Sequence, residues 1–383
     1  MSEPIHAAYR KAARIQTVVC GFLFAAFSFT YLYVFQRDVL EALHYSLAHG
    51  KTHFAPLASA LIITFILLLL RWGVNSLLGL KGNVRALSYF PSCLILGVLT
   101  DVGKNVYMEG YHTPWGWLLP LILLVYIVVA YFLRRIFRKQ LNNEGSPILL
   151  VNYNLLILVA LCLMAAMIGN TSRGFHHELE AERYLRAHQY EKVLEVGKHS
   201  LEASRTLTVL RAIAMSHAGQ LGGKLFAYPQ YYRSNGLFFA DDSTQTCRYT
   251  NDSIYYLLGM RPYRGEDRMT FLRNICYKGT AKYTALDYYL SALLLEKRLD
   301  DFGMALTDLY ETEDTLPRYF SEALLLYRDS HPEYPVQVND SVIIKRYADY
   351  RKRQTEFSSA VEERNKMRRE FGDTYWWYFD YQE

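Results

Sequence analysis

Four stretches of almost unbroken apolar residues fill much of the first 169 positions, at 15–35, 55–70, 115–133 and 148–168. A hydrocarbon layer about 30 Å thick is crossed by about 20 residues of helix, a length that three of the runs reach and that 55–70 approaches. Lipid offers no partner to a bare backbone, which confines such runs to helix. The first run follows Arg10, Lys11 and Arg14 as a secretory leader would. Its length and the lack of a small-residue cleavage site mark it as an uncleaved span. Ser146-Pro147 opens the last run, with proline where a missing N–H is harmless.

A fifth run, 89–107, is flawed by Pro91, Gly97, Gly103, Asp101 and Lys104. Each charge in hydrocarbon costs about 2.5–3.5 kcal/mol. The loops decide whether it spans. With five spans and a cytoplasmic N-terminus, the inside segments hold Arg10, Lys11, Arg14, Arg71, Lys81, Arg85 and the cluster Arg134, Arg135, Arg138, Lys139. Only Arg37, Lys51 and Lys104 then fall outside. Four spans would put the 134–139 cluster outside, against the cytoplasmic excess of cations. Five spans are therefore predicted, with residues 170–383 beyond the membrane. Trp115 and Trp117 fall at the outer interface, where indoles concentrate.

Charge divides the chain at the same place. Residues 1–169 carry 13 Lys/Arg against 6 Asp/Glu, and residues 170–383 carry 29 against 31. The positive excess thus sits between apolar runs, and the second half lacks the basic surface of a nucleic-acid binder. Cys20, Cys93 and Cys162 lie within apolar runs and read as small core residues. Cys247 and Cys276 leave two readings open, one disulfide or two thiols. No Cys-x-x-Cys pair is present to hold zinc.

From residue 170 the pattern is helical. Residues 178–204 read as two short helices broken near His188-Gln-Tyr190. Apolar spacings of three and four predict helices over 207–217, 284–296, 300–310 and 319–327, then one long polar helix over 341–369. Turn residues make 228–268 less regular. Two stretches resemble tetratricopeptide-type hairpins. In one, Glu178-Leu-Glu-Ala-Glu-Arg-Tyr-Leu precedes the turn at His188; in the other, Tyr288-Tyr-Leu-Ser-Ala-Leu-Leu-Leu precedes a turn at Arg298. A weaker third unit covers 211–226, and an irregular helical domain is the alternative reading. The fold class is all-α: a polytopic bundle over 1–169, then an extracytoplasmic helical, tetratricopeptide-like domain over 170–383.

The second half holds 22 of the 32 tyrosines. Tyr231-Tyr232, Tyr255-Tyr256 and Tyr375-Trp376-Trp377-Tyr378 combine apolar bodies with polar tips. Tyr231, Tyr232 and the 375–378 run are candidate interaction surface, but for the 375–378 run docking onto the chain's own core is the favoured reading and a partner or bilayer contact the alternative. Asp242-Ser-Thr, Asp252-Ser-Ile, Asp314-Thr-Leu and Asp340-Ser-Val resemble the O-glycosylation signal of Bacteroidota exported proteins. Asp before Ser or Thr also starts helices.

Leu225-Phe-Ala-Tyr-Pro-Gln230, Asn251-Asp-Ser-Ile-Tyr-Tyr-Leu-Leu-Gly259, Leu316-Pro-Arg-Tyr-Phe-Ser-Glu-Ala323 and Phe371-Gly-Asp-Thr-Tyr-Trp376 carry a further likeness. With the N-terminal spans, they resemble a Bacteroidota multi-span membrane family known as a domain of unknown function. The resemblance implies no reaction and no functional residues.

Chemistry has few candidates. Asp101 and Lys104 sit one helical turn apart in the third predicted span, an intramembrane pair that can neutralise itself. The alternative places both at the outer end, with Lys104 extending to the interface. His176 and His177 are adjacent on a helix, about 100° apart, and do not chelate together. His44, His49, His53 and His112 lie in outer loops without metal-ligand spacing. No Gly-rich phosphate loop, His-Glu-x-x-His or Gly-x-Ser-x-Gly is present. No catalytic, cofactor or metal residue is assigned.

The expected role is that of a membrane-anchored interaction or scaffold protein of a bacterial inner membrane, its partners the bilayer and an envelope protein or a second copy. A transporter or membrane enzyme acting on an envelope lipid or glycan through Asp101 and Lys104 is the alternative.

Overall fold

The computed structural model describes residues 3–108, 114–136, 146–198, 200, 203–241, 247–310, 316–357 and 359–382, with side chains left aside at 3–8 and 136. Every regular element among them is a helix. The chain divides into two compact units, Met1–His176 and His177–Glu383.

The first unit contains α1 (Glu3–Thr30), α2 (Arg37–Ala48), α3 (Pro56–Leu78), α4 (Phe90–Thr100), α5 (Trp115–Ile136) and α6 (Pro147–Ile168). Five segments are long and apolar enough to cross a membrane: Tyr9–Phe35, Pro56–Leu78, Gly82–Thr100, Trp115–Arg135 and Pro147–Ile168. Helix α6 packs on α1, α4 and the 3-10 segment Gly82–Tyr89 more extensively than α3, which meets the same three, and so forms the axis of the bundle. Gly97 lets α4 approach: a Cβ there would lie 2.9 Å from Ile168 Cβ and 3.0 Å from the Ala165 carbonyl. Helix α5 lies at the margin, touching α3 and leaving an apolar surface suited to lipid.

Two predicted limits are corrected. The second span does not stop at Arg71; the helix runs on to Leu78, and the Arg71 side chain is buried over the Tyr89 ring at 4.7 Å. The third does not cover 89–107. It begins in the 3-10 turn at Gly82 and ends at Thr100, where Asp101 leaves helical geometry (φ −79°, ψ 65°). At that end Tyr31 Oη meets Thr100 Oγ1 at 3.1 Å, and Gln36 Nε2 donates to the Asn170 carbonyl at 3.0 Å. The Asn170 N–H closes the knot by donating to the Thr100 carbonyl at 2.9 Å.

The second unit contains α7 (Arg173–Arg186), α8 (Tyr190–Glu195), α9 (Arg205–His217), α10 (Leu221–Lys224), α11 (Asn251–Leu258), α12 (Arg268–Tyr277), α13 (Thr284–Leu295), α14 (Leu299–Leu309), α15 (Arg318–Ser330), α16 (Ser341–Gln354), α17 (Ala360–Phe371) and α18 (Tyr375–Tyr381), with consecutive helices packed together from α8 to α10 and from α12 to α18. Its core runs through Tyr288, Phe302, Tyr319, Tyr350 and Trp376, all fully buried. The α13–α14 turn needs a left-handed residue, which is Lys297 (φ 58°) rather than the predicted Arg298; His188 (φ 54°) does the same between α7 and α8.

Residues 341–369 form two helices, not one. Phe357 packs on the core between them, with the guanidinium of Arg353 5.2 Å from its ring, and the chain turns back so that α17 lies against α16. Cys247 and Cys276 are separate thiols. Asp340 caps α16, its carboxylate accepting the Val342 and Ile343 N–H groups, and Asp252 opens α11 and pairs with Arg261. Asp242, Asp314 and His112 lie outside the described residues.

Candidate functional site

The aromatic run is core. Tyr375 and Trp376 are fully buried, and Trp377 and Tyr378 nearly so, which agrees with docking on the chain's own core and corrects the run's reading as interaction surface. Four bonds hold it there. Thr374 Oγ1 accepts the Trp377 N–H at 3.2 Å, and the Glu322 carboxylate accepts the Tyr375 N–H at 2.7 Å. Trp376 Nε1 donates to the Glu322 carbonyl at 2.7 Å, and Tyr378 Oη donates to the Leu295 carbonyl at 2.6 Å. The polar tips of Trp376 and Tyr378 find carbonyls inside the unit, whereas the Trp377 indole N–H is buried without a hydrogen-bond partner.

Anchoring α18 creates a cleft beside it. Gln230 is buried in the loop after the 3-10 turn Leu225–Ala227; its Nε2 donates to the Leu225 carbonyl, and its own carbonyl accepts Gln382 Nε2, both at 2.7 Å. The loop 226–231 thereby forms one wall, α17 the other and Trp377 and Tyr378 the floor, around a space of about 650 Å³. Lys198 and Ser200 close one side.

The cleft is electropositive. Arg364, Arg368 and Arg369 line it, are exposed, and make no ion pair among the described residues. The Arg368 guanidinium lies 5.7 Å from the Trp377 ring. Lys198 is paired with Glu195 at 2.9 Å. The one carboxylate in the lining, Asp373, is already neutralised by Arg346 at 2.6 Å and Arg318 at 2.9 Å. Partial burial would push its carboxyl up, but hydrogen bonds from those two guanidiniums outweigh it and hold it below the usual range. Behind the wall lies a further cation. Arg211 is buried, with its Nη2 donating to the Val196 carbonyl at 2.6 Å and its guanidinium 4.7 Å from the ring of Tyr228, a lining residue. Burial pushes Arg211 down to about 10, which still leaves it charged at neutral pH. Cations, aromatic faces and amides suit the holding of an acidic ligand; the lining brings no nucleophile and base together.

The sequence-predicted residues fare unevenly. Tyr231 is half-exposed on the cleft, while the Tyr232 hydroxyl is tied to the Ala203 carbonyl at 3.2 Å. Asp101 and Lys104 are not a helical pair, because α4 ends before them; Asp101 instead accepts Trp115 Nε1 at 2.6 Å. His44 Nε2 lies 3.1 Å from Thr52 Oγ1, His176 Nε2 lies 3.0 Å from the Asn170 carbonyl, and the His177 ring packs against Gly197. Among the described residues no three His, Cys, Asp or Glu side chains converge as metal ligands. Sequence reasoning missed the arginines. Their signal was Arg364-x-x-x-Arg368-Arg369, basic residues one turn apart on a helix that reads as merely solvated.

No curated protein and no solved structure matches the chain. One family model does, over residues 102–263 and 262–382, stretches that include the cleft, all of its arginines and the α18 anchor. Those two stretches make up most of the sequence, and the chain belongs to the family of unknown function DUF6057.

Proposed function

We propose that this is a membrane-anchored binding protein whose second unit holds an acidic segment of a partner protein in the cleft beside α18. The carrying observation is a cleft of about 650 Å³ walled by Arg364, Arg368 and Arg369, none of them ion-paired among the described residues. Guanidiniums beside aromatic faces recur at the energetic centres of protein interfaces. The space has the size of a pocket rather than a broad interface, so it fits a few residues of extended chain.

The excess of Lys/Arg in the loops on one side of the five spans supports a cytoplasmic N-terminus and a second unit on the periplasmic side of a bacterial inner membrane. Packing of consecutive helices from α12 to α18, with a left-handed turn at Lys297 between α13 and α14, supports a tetratricopeptide-like reading of that unit. Such solenoids present concave surfaces to peptides. The four segments quoted above are the ground for a Bacteroidota origin.

The test is binding of a labelled Asp/Glu-rich peptide to the full chain in detergent, followed by fluorescence anisotropy. Saturable binding is expected, weakened at least tenfold in Arg364→Glu/Arg368→Glu and at high salt. Equal binding by wild type and variant removes the cleft from the function.

A further inference from the structure

The membrane unit holds a second set of cations, in a different setting. No Asp or Glu occurs in residues 9–35, 56–100, 114–136 or 147–168. Yet Arg71 stands within α3, only 9% exposed, with its guanidinium over the Tyr89 ring. Its Nε and Nη2 are buried and have no hydrogen-bond partner. Those two atoms form one edge of the guanidinium fork, the edge that grips two oxygens of an oxyanion at once. Arg85, four residues before Tyr89 on the 3-10 segment and within electrostatic reach of Arg71, has a buried and unpartnered Nε of its own.

The bundle satisfies other polar groups in the same region. Asn154 is fully buried, yet its Oδ1 accepts the Ala86 N–H at 2.7 Å and its Nδ2 donates to the Gly82 and Leu150 carbonyls at 3.0 and 2.8 Å. Other buried polar atoms of the bundle also lack a partner, the Tyr89 hydroxyl among them, so what distinguishes the arginine donors is their charge, which burial leaves uncompensated without an anion. Depth gives the remaining constraint. Arg71 precedes the end of α3 at Leu78 by seven residues, about 10 Å of helix, so it stands in the half of the span nearer that end. At the same end, Arg134 Nη1 donates to the Leu78 carbonyl at 3.1 Å.

We infer that Arg71 and Arg85 seat a phosphate group at this end of the bundle, the Arg71 edge taking two oxygens and Arg85 Nε a third. A lipid headgroup reaches this depth from the side, and a free phosphate reaches it from the water. Either is recognised by the same donors, and the cost of burying the arginines is offset once the oxyanion is in place.

The full chain, purified in a phosphate-free maltoside detergent, is titrated with phosphatidylglycerol, with diacylglycerol bearing the same tails, or with inorganic phosphate, and the thermal midpoint is read. A rise of several degrees with phosphatidylglycerol and none with diacylglycerol is expected, and identifies a lipid phosphate. A rise with inorganic phosphate of the same size identifies a soluble source. Arg71→Gln and Arg85→Gln should each weaken the effect about tenfold, while Lys81→Gln at the exposed turn leaves it intact. Should Arg71→Gln not fold, Arg85→Gln and the wild-type comparison still decide. Shifts no larger than with diacylglycerol, or full retention in the arginine variants, overturn the inference.

Discussion

The Glu322 carboxylate accepts the Tyr375 N–H at 2.7 Å, so a side chain on α15 caps a helix that begins more than fifty residues later. The same carboxylate takes Arg318 Nε at 2.8 Å. Glu322 is almost wholly buried, so removing it leaves the buried Tyr375 N–H unsatisfied and takes from Arg318 one of its two carboxylates, Asp373 remaining. Glu322→Ala should cost about 1–3 kcal/mol, the range for leaving a buried donor unsatisfied. Urea unfolding of the full chain in detergent, followed by tryptophan fluorescence, measures this; a loss below 1 kcal/mol would mean that α18 is held by ring packing alone.

Asp287 stands in the first turn of α13, where burial raises its carboxyl to about 6. In the unfolded chain an aspartate titrates near 4, so the raised folded value favours the proton-bound native state. Its contribution to stability is therefore complete below pH ~4 and is lost as pH rises through about 6. With a discount for partial exposure, Asp287→Asn should exceed wild type by on the order of 1–2 kcal/mol at pH 8 and match it at pH ~4. Burial likewise raises Glu322, to about 7, so the variant keeps part of the wild-type slope. Unfolding midpoints at the two pH values, wild type against variant, give the answer; equal differences at both refute the assignment.

Gly97 is the contact point of α4 and α6. Ala in its place meets Ile168 Cβ at 2.9 Å and the Ala165 carbonyl at 3.0 Å, and backbone cannot swing aside as a long side chain can. Gly97→Ala should destabilise the bundle by about 1–3 kcal/mol. Gly116→Ala, with nothing within 4 Å, is the matched control and should be neutral or better. Thermal unfolding of the two variants in the same detergent separates packing from helix propensity.

Orientation is open to direct measurement. Tyr263 is 73% exposed in the second unit, whereas Cys20, Cys93 and Cys247 are buried. A Tyr263→Cys chain in spheroplasts should react with an impermeant maleimide well above the wild-type background if that unit faces the periplasm. Labelling only after lysis would reverse the topology and with it the five-span reading of the loop charges.

Legibility in the sequence followed locality. Four of the five spans were readable because each is one continuous run, whose composition alone names its solvent, and the third needed the loop charges. The ends of the third were not, since Asp101 stops the helix while Arg85 enters it by a 3-10 turn, a geometry that apolar counting does not see. Arg71 read as a stop signal because its partner ring, Tyr89, is eighteen residues away in the chain. Tyr375–Tyr378 allowed two readings, surface or core, because a ring with a polar tip suits both; only Glu322 and Leu295 decide. The cleft was invisible for the same reason. Its walls come from residues 198–200, 226–231 and 364–382, and none of these is distinctive by itself.

The anchoring of α18 also sets a timetable. Tyr378 reaches Leu295, and Gln382 reaches Gln230, 152 positions earlier. A chain made from its N-terminus has α13 and α15 in hand long before the rings that fill the space between them are synthesised. Until then the slots for Trp376 and Tyr378 stand open on an apolar face, at the point where a nascent chain is most prone to bind its neighbours. The second unit is thus obliged to close late, and a chaperone or an early partner at that face would act before the cleft exists.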